Sequence, residues 1–147
     1  MQPRVITESV TNFLRRGQLT NFPFGTNRET VITMLGHTTW TAERPVVNET
    51  VILKYDKTEL YFGGERVDEL CAVQITYSLR APKHQLVMDY GELNQPLNYD
   101  QTKDFLKSNE ITFQEIMYGE TRVIKTEGQI LLYFLDDNKL LKFGRFL

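Results

Sequence analysis

Two hydrophobic periods alternate along this chain, and the alternation occurs twice. Val5, Ile6, Val10, Phe13 and Leu14 recur at helical spacing, which predicts an amphipathic helix over about residues 6–16, stopped by Gly17. A Phe/Pro/Gly-rich connector, Leu19 to Gly25, follows. Thr26 then offers an N-cap, with Glu29 three positions later to return the reciprocal hydrogen bond. Val31, Met34 and Leu35 form the buried stripe of this second helix, and Gly36 can take the left-handed conformation that closes it.

From Thr50 the period falls to two. Val51, Leu53 and Tyr55 alternate with Ile52 and Lys54, and Leu60 and Phe62 alternate with Glu59 and Tyr61. Asp56-Lys57 is short enough for a tight hairpin. A loop through Gly63-Gly64-Glu65-Arg66 leads to a third strand, with Cys71, Val73, Ile75 and Tyr77 on one face and Ala72, Gln74 and Thr76 on the other. Ala81-Pro82-Lys83 marks a seam. Beyond it Gln85 to Met88 reads as a strand, Asn98 with Gln101 caps a helix carrying Phe105 and Leu106, and three or four strands fill residues 112–147. Their turns fall near Gly119-Glu120, Glu127-Gly128 and Asp136-Asp137-Asn138.

The halves share one register. Val51-Ile52 returns as Val123-Ile124, Leu60-Tyr61-Phe62 as Leu132-Tyr133-Phe134, and the helix start at Thr26 as Asn98, always 72 positions on. Helices followed by runs of closely linked strands define an α+β fold with an antiparallel sheet, because a parallel return needs a crossover of about a dozen residues. The expectation is one compact domain over 1–147 made of two repeats, 1–80 and 81–147. Each contributes helix and antiparallel sheet (about residues 5–80 and 84–147), with the helices packed on one sheet face. The first helix has no counterpart before residue 98.

The run Gly25-Thr26-Asn27-Arg28-Glu29-Thr30-Val31-Ile32-Thr33-Met34-Leu35-Gly36, followed by strands through Tyr55 and Leu60-Tyr61-Phe62, resembles the repeat unit of BamE-like lipoproteins and of the β-lactamase-inhibitor-protein fold. It is also similar to short bacterial proteins carrying a Leu-Gly helix end and an Ile-Leu-Lys-Tyr…Glu-Leu-Tyr-Phe strand pair. The resemblance covers residues 5–78 well and 98–146 loosely, and it implies a tandem α+β fold. For some relatives it implies immunity proteins that neutralise a toxin. This chain departs from the pattern in two places: His37-Thr38-Thr39 stands where a proline usually follows Leu-Gly, and no lipidation cysteine lies near Met1-Gln2-Pro3-Arg4. The second departure counts against a BamE role.

Composition narrows the chemistry. The 147 residues carry 17 basic and 19 acidic groups, a formal charge of −2, and Arg15-Arg16 is the only adjacent basic pair. That balance argues against a nucleic-acid partner held by phosphate neutralisation. One cysteine and the absence of a signal-like or 18-residue apolar run point to a cytoplasmic protein with no membrane partner. His37, His84 and Cys71 cannot supply a conventional zinc set at ligand spacing, and Gly63-Gly64 lacks the Lys and Ser/Thr of a phosphate loop. No metal, no cofactor and no catalytic residue is expected. An enzyme assembled from Cys71, His84 and Asp89 is the least favoured alternative.

The leading expectation is therefore a non-enzymatic binding protein, an immunity-type inhibitor that occludes a toxin or enzyme with a sheet face and its loops. Trp40, in a stretch expected to be irregular, and Tyr61 and Tyr133, opposite the core face, are the anchor candidates. Glu65, Asp68, Glu69, Asp136 and Asp137 are candidates to steer a basic partner. The alternative is a structural or homo-oligomeric adaptor, a homodimer through the same sheet.

Overall fold

The computed structural model describes residues 5–38, 40–43, 51–63, 68–78, 85–93, 95, 97–135 and 138–146, with backbone alone at 40–43 and 146. The elements run β1 (Ile6–Ser9), α1 (Val10–Arg16), α2 (Arg28–Leu35), β2 (Trp40–Glu43), β3 (Val51–Tyr55), β4 (Thr58–Phe62) and β5 (Leu70–Thr76). They continue with β6 (Leu86–Asp89), α3 (Tyr99–Ser108), β7 (Phe113–Tyr118), β8 (Thr121–Thr126), β9 (Leu131–Phe134) and β10 (Leu140–Phe146). The fold is α+β, as the change of period predicts.

Eight strands form one antiparallel sheet in the order β2-β3-β4-β5-β10-β9-β8-β7. The hairpin-linked set β2–β5 thus meets the hairpin-linked set β10–β7 at a central β5/β10 seam. Pairing across the sheet assigns its two faces. Tyr55, Thr58, Ile75, Phe143, Leu132 and Ile124 stand in one cross-strand row, and Leu53, Leu60 and Val73 in the next. All nine are buried, and all but Thr58 share one core cluster with Val10, Phe13 and Leu14 of α1, Val31 and Leu35 of α2, and Phe105 and Leu106 of α3. The helices therefore pack on this face. Ring contacts between Phe13 and Phe143 (6.2 Å) and between Tyr99 and Phe134 (5.1 Å) join the layers. The Tyr55 hydroxyl donates to the Gly36 carbonyl at 2.8 Å, fixing the exit of α2.

Three local expectations need correction. Residues 6–9 are a strand, not the start of a helix: Ile6 and Glu8 point inward with period two, and β1 pairs in parallel with β6. Ser9 is the true N-cap of α1, accepting from the Asn12 amide at 3.2 Å, while Gly17 closes the helix at φ 81° as anticipated. The cap of α2 is Asn27, whose side chain accepts from the Glu29 amide, because the Thr26 carbonyl is engaged by the Leu70 amide. Trp40–Glu43, expected to be irregular, is an edge strand on β3, a placement that suits its Trp and Thr. By contrast, the Asn98/Gln101 capping box and the Asp56-Lys57 turn stand as read, and of the three or four strands expected in the last third there are four.

Candidate functional site

The second sheet face is the candidate. Cross-strand pairing sorts it into three rows. The central row runs Trp40, Lys54, Glu59, Gln74, Gly144, Leu131, Lys125 and Gln114. Ile52, Tyr61 and Ala72 flank it on one side. On the other side stand Thr76, Lys142, Tyr133, Val123 and Ile116. Tyr61 and Tyr133 thus sit in opposite flanking rows about a glycine in the middle of the seam. Gly144 is required there, because a Cβ would lie 2.4 Å from the Val73 carbonyl oxygen. Ile52, Ala72 and Val123, on this face, are buried yet fall outside the helix-packed cluster.

The two tyrosines are half-buried. Tyr61 donates its hydroxyl to Glu59 two positions earlier on the same strand. The ammonium of Lys142 lies 5.4 Å from the Tyr133 ring centroid, within cation–π range. Burial, with the neighbouring Tyr118 hydroxyl adding to it, pushes the Tyr133 phenol above its ordinary value, so it remains a neutral donor. Among the described residues the face carries Lys54, Lys125 and Lys142 against the carboxylate of Glu59. The described charges of this face are therefore mainly basic.

Of the expected acidic set, the two described members, Asp68 and Glu69, lie beside α2 rather than with the tyrosines. Asp68 forms an ion pair with Arg28 (3.1 Å), and its carbonyl accepts from the Arg28 amide. Glu69 bridges Asn27. Both brace the start of α2. Glu65, Asp136 and Asp137 lie outside the described residues, as do the side chain of Trp40 and all of His84. Register still sets Trp40 at the β2 end of the central row.

Cys71 was expected in the core and is half-buried instead. A register shift after Tyr61 puts Leu70 opposite Phe62, and the thiol donates to the Tyr61 carbonyl at 3.4 Å. Burial pushes this thiol up, opposed by smaller backbone hydrogen-bond effects, which suits an inert thiol rather than a thiolate nucleophile. His37 is exposed beyond α2. Among the described residues no group of three His, Cys, Asp or Glu side chains could hold a metal ion, and no helix is long and apolar enough to cross a membrane.

Sequence reasoning missed two polar centres. Glu8 is 1% exposed and accepts from the Thr20 and Asn21 amides, each at 2.7 Å, and from the Asn21 side chain. It organises the 17–25 connector from inside. Glu115 accepts from the Tyr99 hydroxyl (2.9 Å) and Lys103 (3.1 Å), while Arg122 lies 4.2 Å over the Tyr99 ring. These bonds hold the Glu115 carboxyl below the usual range, the Tyr99 contact contributing most. No motif spacing announces either centre, since each joins separate elements.

No family model matches the chain, and no curated protein matches it. Two solved structures do. An extracellular protein containing an SCP domain from Bacillus anthracis str. Ames is 12% identical, with a TM-score of 0.42 over 83% of this chain and 43% of its own. A cysteine-rich secretory protein from Staphylococcus aureus subsp. aureus Mu50 is 9% identical, with a TM-score of 0.44 over 98% of this chain and 50% of its own. The chain thus spans about half the length or less of each. Both are described as extracellular or secretory, which points away from the cytoplasmic location expected above; that expectation is withdrawn. Likeness at this level assigns neither an activity nor another location.

Proposed function

We propose that this chain is a non-catalytic protein-binding module that covers a partner with the sheet face opposite its described helices, an immunity-type inhibitor being the narrower form of the reading. One observation carries it: Tyr61 and Tyr133 occupy opposite flanking rows of one continuous face, half-buried and backed by strands rather than loops. Aromatic anchors on rigid strands lose little conformational freedom on docking, and tyrosine is enriched where interfaces concentrate their energy. The lysines of the face favour an acidic partner surface over the basic one expected from the turn carboxylates. A standard interface of about 800 Å² per partner is the matching scale.

The tandem-repeat reading belongs with this proposal. In its support, Asn27 caps α2 and bridges Glu69 just before β5, while Asn98 caps α3 and bridges Lys139 just before β10. Two copies of one unit meeting at β5/β10 would generate the paired placement of the tyrosines.

The test compares capture of partners from an extract of the source organism by the wild-type chain and by the Tyr61→Ser/Tyr133→Ser variant. A partner retained by the wild type and lost by a correctly folded variant is the expected result. Equal retention by both would remove the face from consideration.

A further inference from the structure

The sheet order ends at β7, and among the described residues this edge carries no lysine, proline or bulge. Edge strands avoid self-pairing through lysines, prolines, bulges or short length. β7 is six residues long, Phe113-Gln114-Glu115-Ile116-Met117-Tyr118, and pairs with β8 without a bulge from Phe113↔Thr126 to Tyr118↔Thr121. Its one charge, Glu115, is already bound by Tyr99 and Lys103. Met117 and Tyr118 are 57% and 54% exposed.

We propose that β7 pairs antiparallel with β7 of a second copy of this chain about a two-fold axis at Ile116, joining the two sheets edge to edge. The chemistry selects this register. Direct partners in a sheet lie on the same face, so a two-fold normal to the sheet can pair odd residues only with odd and even only with even. Centring on Glu115 would oppose two carboxylates. Centring on Ile116 sets Ile116 against itself, Gln114 against Tyr118 and Glu115 against Met117, with no like charges opposed and both exposed apolar side chains covered. One pair of short strands buries less than the roughly 1,200 Å² of a standard interface, so the dimer is weak and concentration-dependent. Ile116 ends the row that carries Tyr133, but the pairing runs through the outer backbone edge of β7 and does not depend on the partner-binding reading.

Sedimentation of the full chain over a wide concentration range tests the proposal with Ile116→Lys and Ile116→Glu. Each variant places like charges face to face at the axis and weakens self-association by about 5-fold or more. An equimolar mixture of the two restores a dimer, because opposite charges then meet. Amide exchange of wild-type β7 should slow as concentration rises, a measurement that needs no variant. A strictly monomeric wild type, β7 exchange independent of concentration, or a mixture that pairs no better than either variant would each overturn the inference.

Discussion

Gly17 and Gly128 touch backbone to backbone: a methyl group on Gly17 would lie 1.9 Å from the Gly128 carbonyl oxygen, and one on Gly128 would lie 2.4 Å from the Gly17 nitrogen. The end of α1 is thereby pressed onto the β8–β9 turn. Thr126 donates to the Leu14 carbonyl at 2.6 Å beside the contact, and Arg145 donates to the Gly17 carbonyl at 3.3 Å.

Alanine at either glycine should therefore destabilise the protein by about 3 kcal/mol or more, since backbone must separate. Gly17→Ala should be worse, because φ is 81° there as well. Gly91→Ala is the control: its φ is 55° but nothing lies within 4 Å, so the cost should be only about 1 kcal/mol. Urea midpoints rank the three. Equal losses at Gly17 and Gly91 would show that conformation, not the close approach, governs position 17.

Removing the Glu8 carboxylate strands the amides of Thr20 and Asn21. Glu8→Ala should cost about 2–4 kcal/mol, and Glu8→Gln, which keeps one acceptor, clearly less. Chemical denaturation measures both, and amide exchange should show the loss confined first to residues 18–25. A silent Glu8→Ala would mean that water replaces the carboxylate without penalty.

Stability should fall in alkali. Burial pushes the phenol of Tyr55 up to about 12, and that of Tyr77 to about 12 with a smaller push from Tyr90. The unfolded chain releases these protons near pH 10, while the folded chain holds them. Their contribution is complete below pH 10 and is lost as pH rises from 10 through 12. Tyr55→Phe should flatten that decline while costing about 1 kcal/mol at neutral pH through the lost bond to Gly36. Melts at pH 7 and at pH 11 decide it. An unchanged slope would take Tyr55 out of the linkage.

Neither half should fold alone. Residues 1–80 would leave β5 without β10 and β1 without β6, exposing Val73, Ile75 and Ile6. Far-UV circular dichroism and amide dispersion of the isolated half should be those of a largely unfolded chain. A cooperative melt from that fragment would show that the seam is dispensable.

Much of the sheet was legible, because period-two alternation with Asp56-Lys57 or Gly119-Glu120 turns leaves little choice of pairing. Asn98 with Gln101 announced α3 through the capping box, with Phe105 and Leu106 as its apolar face. Residues 6–9 misled because Ile6, Val10, Phe13 and Leu14 fit a helical face, although Ser9 was a cap signal within it. Trp40–Glu43 is too short to show a period. The tyrosine face followed from the alternation of Leu60-Tyr61-Phe62. Its lysine partners did not, since Lys142 meets Tyr133 only through a register shifted between Leu140 and Lys142. Glu8 and the Gly17/Gly128 contact were invisible for a common reason: each depends on segments brought together only by the tertiary fold.

The parallel pairing of β1 with β6 sets an order of events. A ribosome delivers Ile6 long before Leu86 exists, so the chain's opening segment waits as an unpaired ribbon until the second half emerges. Its capture closes a very long loop, which places that step late in folding.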